Sequence, residues 1–134
     1  MISNLKALVV DDEEHVRTYI VLVLRKLGIG TILEARNGEQ ALEMYKQERP
    51  DITLMDVNMP VMNGITALQR IIEINPEAVV VMLTSLATRQ IVEDSAEHGA
   101  SHFVRKDTSK ENMQKIINEI ISLFIDVESK ASVS

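Results

Sequence analysis

Apolar residues in this chain fall into two alternating patterns: short, nearly continuous runs, and longer stretches in which they recur every three or four residues. LKALVV at 5–10 reads as a buried strand. Val16, Ile20, Val23, Leu24 and Leu27 then follow at helical spacing, and Gly28 stops that helix. TILEA at 31–35 is a second strand, Asn37-Gly38 is a turn signal, and a short helix with Ala41, Leu42 and Tyr45 inward ends before Pro50. ITLM at 52–55 is a third strand, after which the loop DVNMPVMNG runs to Gly64. Ile65, Leu68, Ile71 and Ile72 mark a third helix, ended by Asn75-Pro76. AVVVML at 78–83 is the most strand-like run, a fourth helix covers 88–97, and HFV at 102–104 is a short fifth strand. The last helix carries Met113, Ile116, Ile117, Ile120, Ile121 and Phe124 on one broad stripe.

Strand and helix thus alternate five times. Helices between strands imply parallel pairing, so the pattern predicts an α/β fold: a doubly wound, five-stranded parallel sheet with helices on both faces. The domain is expected over 1–125, with the small, polar stretch DVESKASVS at 126–134 as a tail or linker stub. A chain of 134 residues, 46% of them hydrophobic, suits one core without staples. It has no cysteine, which removes disulfides, thiolate metal sites and a thiol nucleophile. No apolar run approaches a membrane span, no signal-peptide cleavage pattern opens the chain, and a cytoplasmic location is expected.

Ligands of such sheets bind at the carboxyl ends of the strands. Asp11 and Asp12 follow the first strand, Asp56 the third, Thr84 and Ser85 the fourth, and Lys106 the fifth. Three carboxylates, a hydroxyl and an ammonium therefore converge on one edge. Carboxylates crowded together raise one another's pKa or recruit a cation. Mg²⁺ suits them, because it takes one or two carboxylates, waters and phosphate oxygens. An ionised aspartate needs no general base to attack phosphorus. The lysine and the metal would offset charge on the transferring group, and a threonine hydroxyl would bond the product.

Charge narrows the partners. Twenty acids against 14 Lys and Arg leave the chain at −6, a poor match for a nucleic-acid backbone. Tyr19, Tyr45, Phe103 and Phe124 are the only aromatics, too few for a stacking platform. The anionic DDEEH after the first strand also argues against a flavin phosphate site there.

LVVDDEE, LMDVNMPVMNG, MLTS and GASHFVRK occur in order and at characteristic spacing, and through them the chain resembles the CheY-like receiver domains of two-component response regulators. The resemblance covers about residues 5–124 and implies the flavodoxin-like strand order 2-1-3-4-5. It implies that Asp56 accepts a phosphoryl group from a histidine kinase or phosphotransfer protein. Asp12, Asp56 and the backbone carbonyl of Asn58 would hold Mg²⁺ directly, Asp11 would act through a bound water, and Thr84 and Lys106 would contact the phosphoryl group. Thr84 and Phe103 would form the switch that reshapes the face of helix four, strand five and helix five for a downstream protein. Such a chain turns over no free substrate, binds neither nucleic acid nor membrane itself, and is a monomer or a weak, phosphorylation-dependent dimer.

Two positions depart from the family pattern. Asp107 stands where proline, often cis, follows the lysine, so the turn is expected to be trans. Leu86, two residues after Thr84, is apolar where the family tunes phosphoryl lifetime. KDTSKENM resembles receivers joined to helix-turn-helix outputs, which keeps open a fragment of a longer DNA-binding regulator; the initial Met and continuous tail favour a free-standing one. A Mg²⁺-dependent phosphatase with an Asp nucleophile generally wants a second acid two residues on, where this chain has Asn58. Plainer roles also exist. Asp11 and Asp12 could cap the first helix, Thr84 and Ser85 could be a strand-end turn, Lys106 a surface lysine and Phe103 core filling. His15, His98 and His102 have no mutual metal-ligand spacing.

Overall fold

A computed structural model of the chain describes residues 2–85 and 88–125; Leu86 and the tail at 126–134 lie outside the described residues. After a 3-10 turn at Ile2–Asn4 come β1 (Lys6–Val10), α1 (Glu14–Lys26), β2 (Thr31–Ala35), α2 (Gly38–Glu48), β3 (Ile52–Asp56) and α3 (Gly64–Ile74). β4 (Val80–Thr84), α4 (Arg89–Glu97), β5 (His102–Arg105) and α5 (Lys110–Phe124) complete the order. The sheet runs β2-β1-β3-β4-β5 with every pairing parallel. The expected fold class and strand order therefore hold.

Both faces of the sheet are covered, which is why its central strands read as unbroken apolar runs. Ala7, Val9, Ile52, Leu54, Val81 and Leu83 pack with Ile20, Val23 and Leu24 of α1 and Met113, Ile117 and Ile121 of α5. Leu8, Val10, Met55, Val80 and Met82 face the other way, onto Ala41 and Tyr45 of α2 and Leu68 and Ile71 of α3. Ile91 of α4 joins that second layer only in part.

Helix ends follow local chemistry. Asn37, Asn63, Thr88 and Ser109 each accept a hydrogen bond from a backbone N–H in the first turn of α2, α3, α4 and α5. α1 ends at Leu27, and Gly28 takes φ +92. Boundaries shift slightly from the sequence reading. β4 begins at Val80 and includes Thr84, and β3 includes Asp56, because ladder hydrogen bonds rather than apolarity set strand ends. Phe124 is a correction: it is half-exposed at the end of α5, where it lines an open hollow with Tyr45 and Asn75 instead of joining the core. No cis peptide bond occurs among the described residues, so the Lys106–Asp107 bond is trans. No helix among them is long and apolar enough to cross a membrane.

Candidate functional site

β1 delivers Asp11. Its N–H still bonds the Ala35 carbonyl of β2 at 3.2 Å, so the ladder extends one residue past the strand and aims the side chain. That side chain is fully buried. Oδ1 accepts from the Glu13 N–H at 2.9 Å, and Oδ2 lies 2.7 Å from Lys106 Nζ. Glu13 occupies the cap position of α1 and makes no side-chain cap bond, so neither Asp11 nor Asp12 is the N-cap residue. Asp12 stands exposed at the rim.

Asp56 closes β3 and is only 3% exposed. Oδ1 accepts from the Asn58 N–H at 3.2 Å, and Oδ2 lies 3.1 Å from Lys106 Nζ. The following loop folds back tightly, with the Gly64 N–H on the Val57 carbonyl at 2.8 Å. A Cβ on Gly64 would fall 1.9 Å from the Asp56 carbonyl oxygen, so only glycine permits that approach. At the loop's outer tip Val61 has φ 71, and the Met62 N–H bonds the Pro60 carbonyl at 2.8 Å. This is a γ-turn of the strained hand, carried by a β-branched residue. The strained turn lies on the loop that leaves Asp56.

Thr84 ends β4, fully buried, and its carbonyl accepts the Lys106 N–H at 2.7 Å. This bond anchors the lysine backbone, while its Nζ reaches Asp11, Asp56 and, at 3.7 Å, Glu13. Lys106 is therefore no plain surface lysine. Phe103 is half-buried against the layer that holds α2 and α3.

The acids are short of compensating charge. Burial, and then the charge of Asp11, push the Asp56 carboxyl up from 3.8 to about 6, and Lys106 and the Asn58 amide only partly oppose them. Burial works to lower the Lys106 ammonium, but its bonds to Asp11 and Asp56 outweigh that and leave it raised. Asp11, Asp12 and Asp56 each offer an oxygen within 4.8 Å of the others. An all-oxygen, anionic donor set open on one side fits a hard divalent ion such as Mg²⁺. The structure thus brings Asp11, Asp12, Asp56 and Lys106 together, with Thr84 holding the lysine's backbone. For Asn58, the contact seen is its amide on Asp56.

A hollow of about 390 Å³ lined by Tyr45, Asp51, Asn75 and Phe124 lies at the opposite edge of the sheet. It contains none of these groups, and the chemistry belongs to the open lip rather than to that hollow. From sequence Glu13 reads as a solvated first-turn residue, and it lies 3.7 Å from Lys106 at the lip; Gly64 and Arg17 carry no site role in the sequence reading. Arg17 left a signal, because it falls three, four and seven residues before Ile20, Val21 and Leu24 on the buried stripe of α1.

The family model of the response regulator receiver domain matches residues 7–118. The chain is 36% identical over 117 residues to the chemotaxis protein CheY of Bacillus subtilis strain 168, covering 87% of this chain and 98% of that protein. It is 34% identical over 119 residues to the transcriptional regulatory protein LnrK of the same organism, covering 88% of this chain and 54% of LnrK. Among solved structures, a chain of the CheX-CheY-BeF3-Mg complex from Borrelia burgdorferi is 31% identical with a TM-score of 0.82, covering 91% of this chain and 90% of that one.

Proposed function

The chain belongs to the response regulator receiver domain family, and from that premise we propose that it is a phosphorylation switch whose acceptor is Asp56. It is a signalling domain. The observation that carries the reading is Lys106 Nζ, which lies 2.7 Å from Asp11 and 3.1 Å from Asp56 beside a third acid, Asp12.

The donor is a phosphohistidine on a histidine kinase or phosphotransfer protein. An Asp56 carboxylate oxygen forms the new P–O bond as the donor's P–N bond breaks, and that electron pair passes to the imidazole nitrogen. No proton need leave Asp56, because the carboxylate is mostly ionised at pH 7 with a pKa of about 6. Lys106 moves its ammonium from the carboxylate toward the phosphoryl oxygens and neutralises part of their charge. Thr84 donates its hydroxyl to one of those oxygens in the product. Asp12, Asp56 and the Asn58 carbonyl would hold Mg²⁺, with Asp11 acting through a bound water, and the ion would supply charge neutralisation for phosphoryl transfer.

Burying a dianionic group here draws Lys106 and Thr84 inward, and β4 and β5 carry that displacement to the face of α4, β5 and α5. Two features support this route. The backbone of Lys106 is bonded directly to Thr84, and α4 buries a single residue, Ser95, so little packing resists its movement. Phe103 on β5 follows that movement, and a downstream protein reads the altered face. On this reading the domain works in the cytoplasm beside the kinase or phosphotransfer protein that charges it.

Incubation with acetyl phosphate and Mg²⁺, read by intact mass, is expected to add one phosphoryl group, lost with Asp56→Asn or with chelator. A phosphorylated Asp56→Asn protein overturns the acceptor assignment. The similarity to about half of LnrK favours a second reading, in which this receiver serves a longer transcriptional regulator. The length of the full gene separates the two.

A further inference from the structure

Arg17 is the one lysine or arginine buried among the described residues. It sits on the inner stripe of α1, where an aliphatic side chain would pack against the sheet with no desolvation cost. Its guanidinium instead spans two acceptors. Nη1 donates to the Asp11 carbonyl at 2.8 Å, and Nε donates to Glu34 Oε1 on β2 at 3.3 Å. We propose that Arg17 is a positioning residue of the acid site: it locks the Asp11 carbonyl, and through it the peptide plane that presents Asp12, so that the two acids are preset to ligate Mg²⁺. This rests on the reading that Asp11, Asp12 and Asp56 hold that ion.

The bonding around Asp11 carries the inference. The Asp11 N–H is held by Ala35, Oδ1 by Glu13 and Oδ2 by Lys106. The carbonyl is the remaining polar group, and Arg17 holds it. That carbonyl shares a rigid plane with the Asp12 N–H, so rotation of the plane swings the Asp12 Cα and its carboxylate. Three residues, Asp12 to Glu14, separate Asp11 from the helical Arg17's own neighbourhood, and they are all exposed acids that repel one another. Packing therefore does little to orient this turn, and a fixed carbonyl does much.

The contacts also separate a geometric role from a purely electrostatic one. A cation placed to neutralise the acid cluster would meet its carboxylates, as Lys106 does. Arg17 meets a backbone oxygen and pairs its charge with Glu34, whose side chain is half-exposed. The planar fork matters because it reaches both partners at once, which a lysine ammonium on a flexible stem does not.

Arg17→Met and Arg17→Lys test the assignment. Each is titrated with Mg²⁺ alone and followed by backbone amide NMR shifts, with thermal midpoints measured in chelator. Loss of a group that orients metal ligands is expected to weaken Mg²⁺ binding about 10-fold in Arg17→Met, with Arg17→Lys between it and wild type. The Asp12 and Glu13 amide resonances should already be displaced before metal is added. A folded Arg17→Met protein with wild-type Mg²⁺ affinity, whatever its thermal midpoint, makes Arg17 merely structural and overturns the proposal. If Arg17→Met does not fold, Arg17→Lys decides, and wild-type affinity and unshifted Asp12 resonances overturn it. Absence of saturable Mg²⁺ binding in the wild-type protein would instead remove the metal reading itself, and the proposal with it.

Discussion

Asp56 is buried, faces a second buried carboxylate, and has one ammonium to share with it. Its folded pKa of about 6 lies above its ordinary 3.8. Between those values the folded state holds a proton that the unfolded chain has released, so stability falls as pH rises through that window. At neutral pH the ionised carboxylate costs the fold on the order of 3 kcal/mol. Asp56→Asn is accordingly expected to raise the thermal midpoint at pH 7.5 by several degrees and by much less at pH 4.5, measured in chelator. An equal gain at both pH values would mean that charge is not the cause. Gly64 is the other residue with a sharp consequence. Because its Cβ position lies 1.9 Å from the Asp56 carbonyl oxygen, Gly64→Ala must displace the acceptor strand's end. Phosphorylation by acetyl phosphate should fall at least about 10-fold, since a misplacement of about 1 Å is costly to catalysis. An unchanged rate in the folded variant would show that the loop relaxes without moving Asp56.

Among the elements, β3 is buried along its whole length, yet Thr53, its second residue, has a hydroxyl with no hydrogen-bond partner. Replacing that oxygen by a methyl group conserves shape and removes an unsatisfied polar atom. Thr53→Val is expected to stabilise the protein by about 1 kcal/mol in urea unfolding without altering phosphorylation. Destabilisation would indicate that the hydroxyl has a partner such as an ordered water. These strands were readable from sequence because a sheet covered on both faces needs unbroken apolar runs, as at 80–83. Helix register was readable for the same reason: Ile20, Leu24, Ile117 and Ile121 keep the helical period. Strand ends were less legible. Thr84 and Asp56 are polar yet belong to β4 and β3, because backbone pairing continues where apolarity stops. Phe124 misled for the opposite reason, since its period fits the stripe but the residue is half-exposed at the helix end.

At the scale of the whole molecule, four crossovers bring residues from four strand ends to one edge, and a divalent ion bound there would stabilise the folded state alone. Mg²⁺ should therefore raise the thermal midpoint with concentration in wild type and leave Asp12→Ala nearly unchanged. Protonation of Asp56 competes with the ion, so the effect should weaken from pH 7.5 to pH 5.5. A midpoint indifferent to Mg²⁺ at both pH values would argue that the acid cluster holds no ion. Periodicity determined the layers of this protein, and residue order determined that Asp11, Asp12, Asp56, Thr84 and Lys106 would share an edge, since parallel strands all end on the same side. Sequence alone did not determine how those groups meet. That Asp11 is buried while Asp12 is exposed, that Lys106 bridges two acids, and that Arg17 grips the Asp11 carbonyl depend on contacts between residues far apart in the chain, and those contacts exist only once the strands are paired and the helices packed.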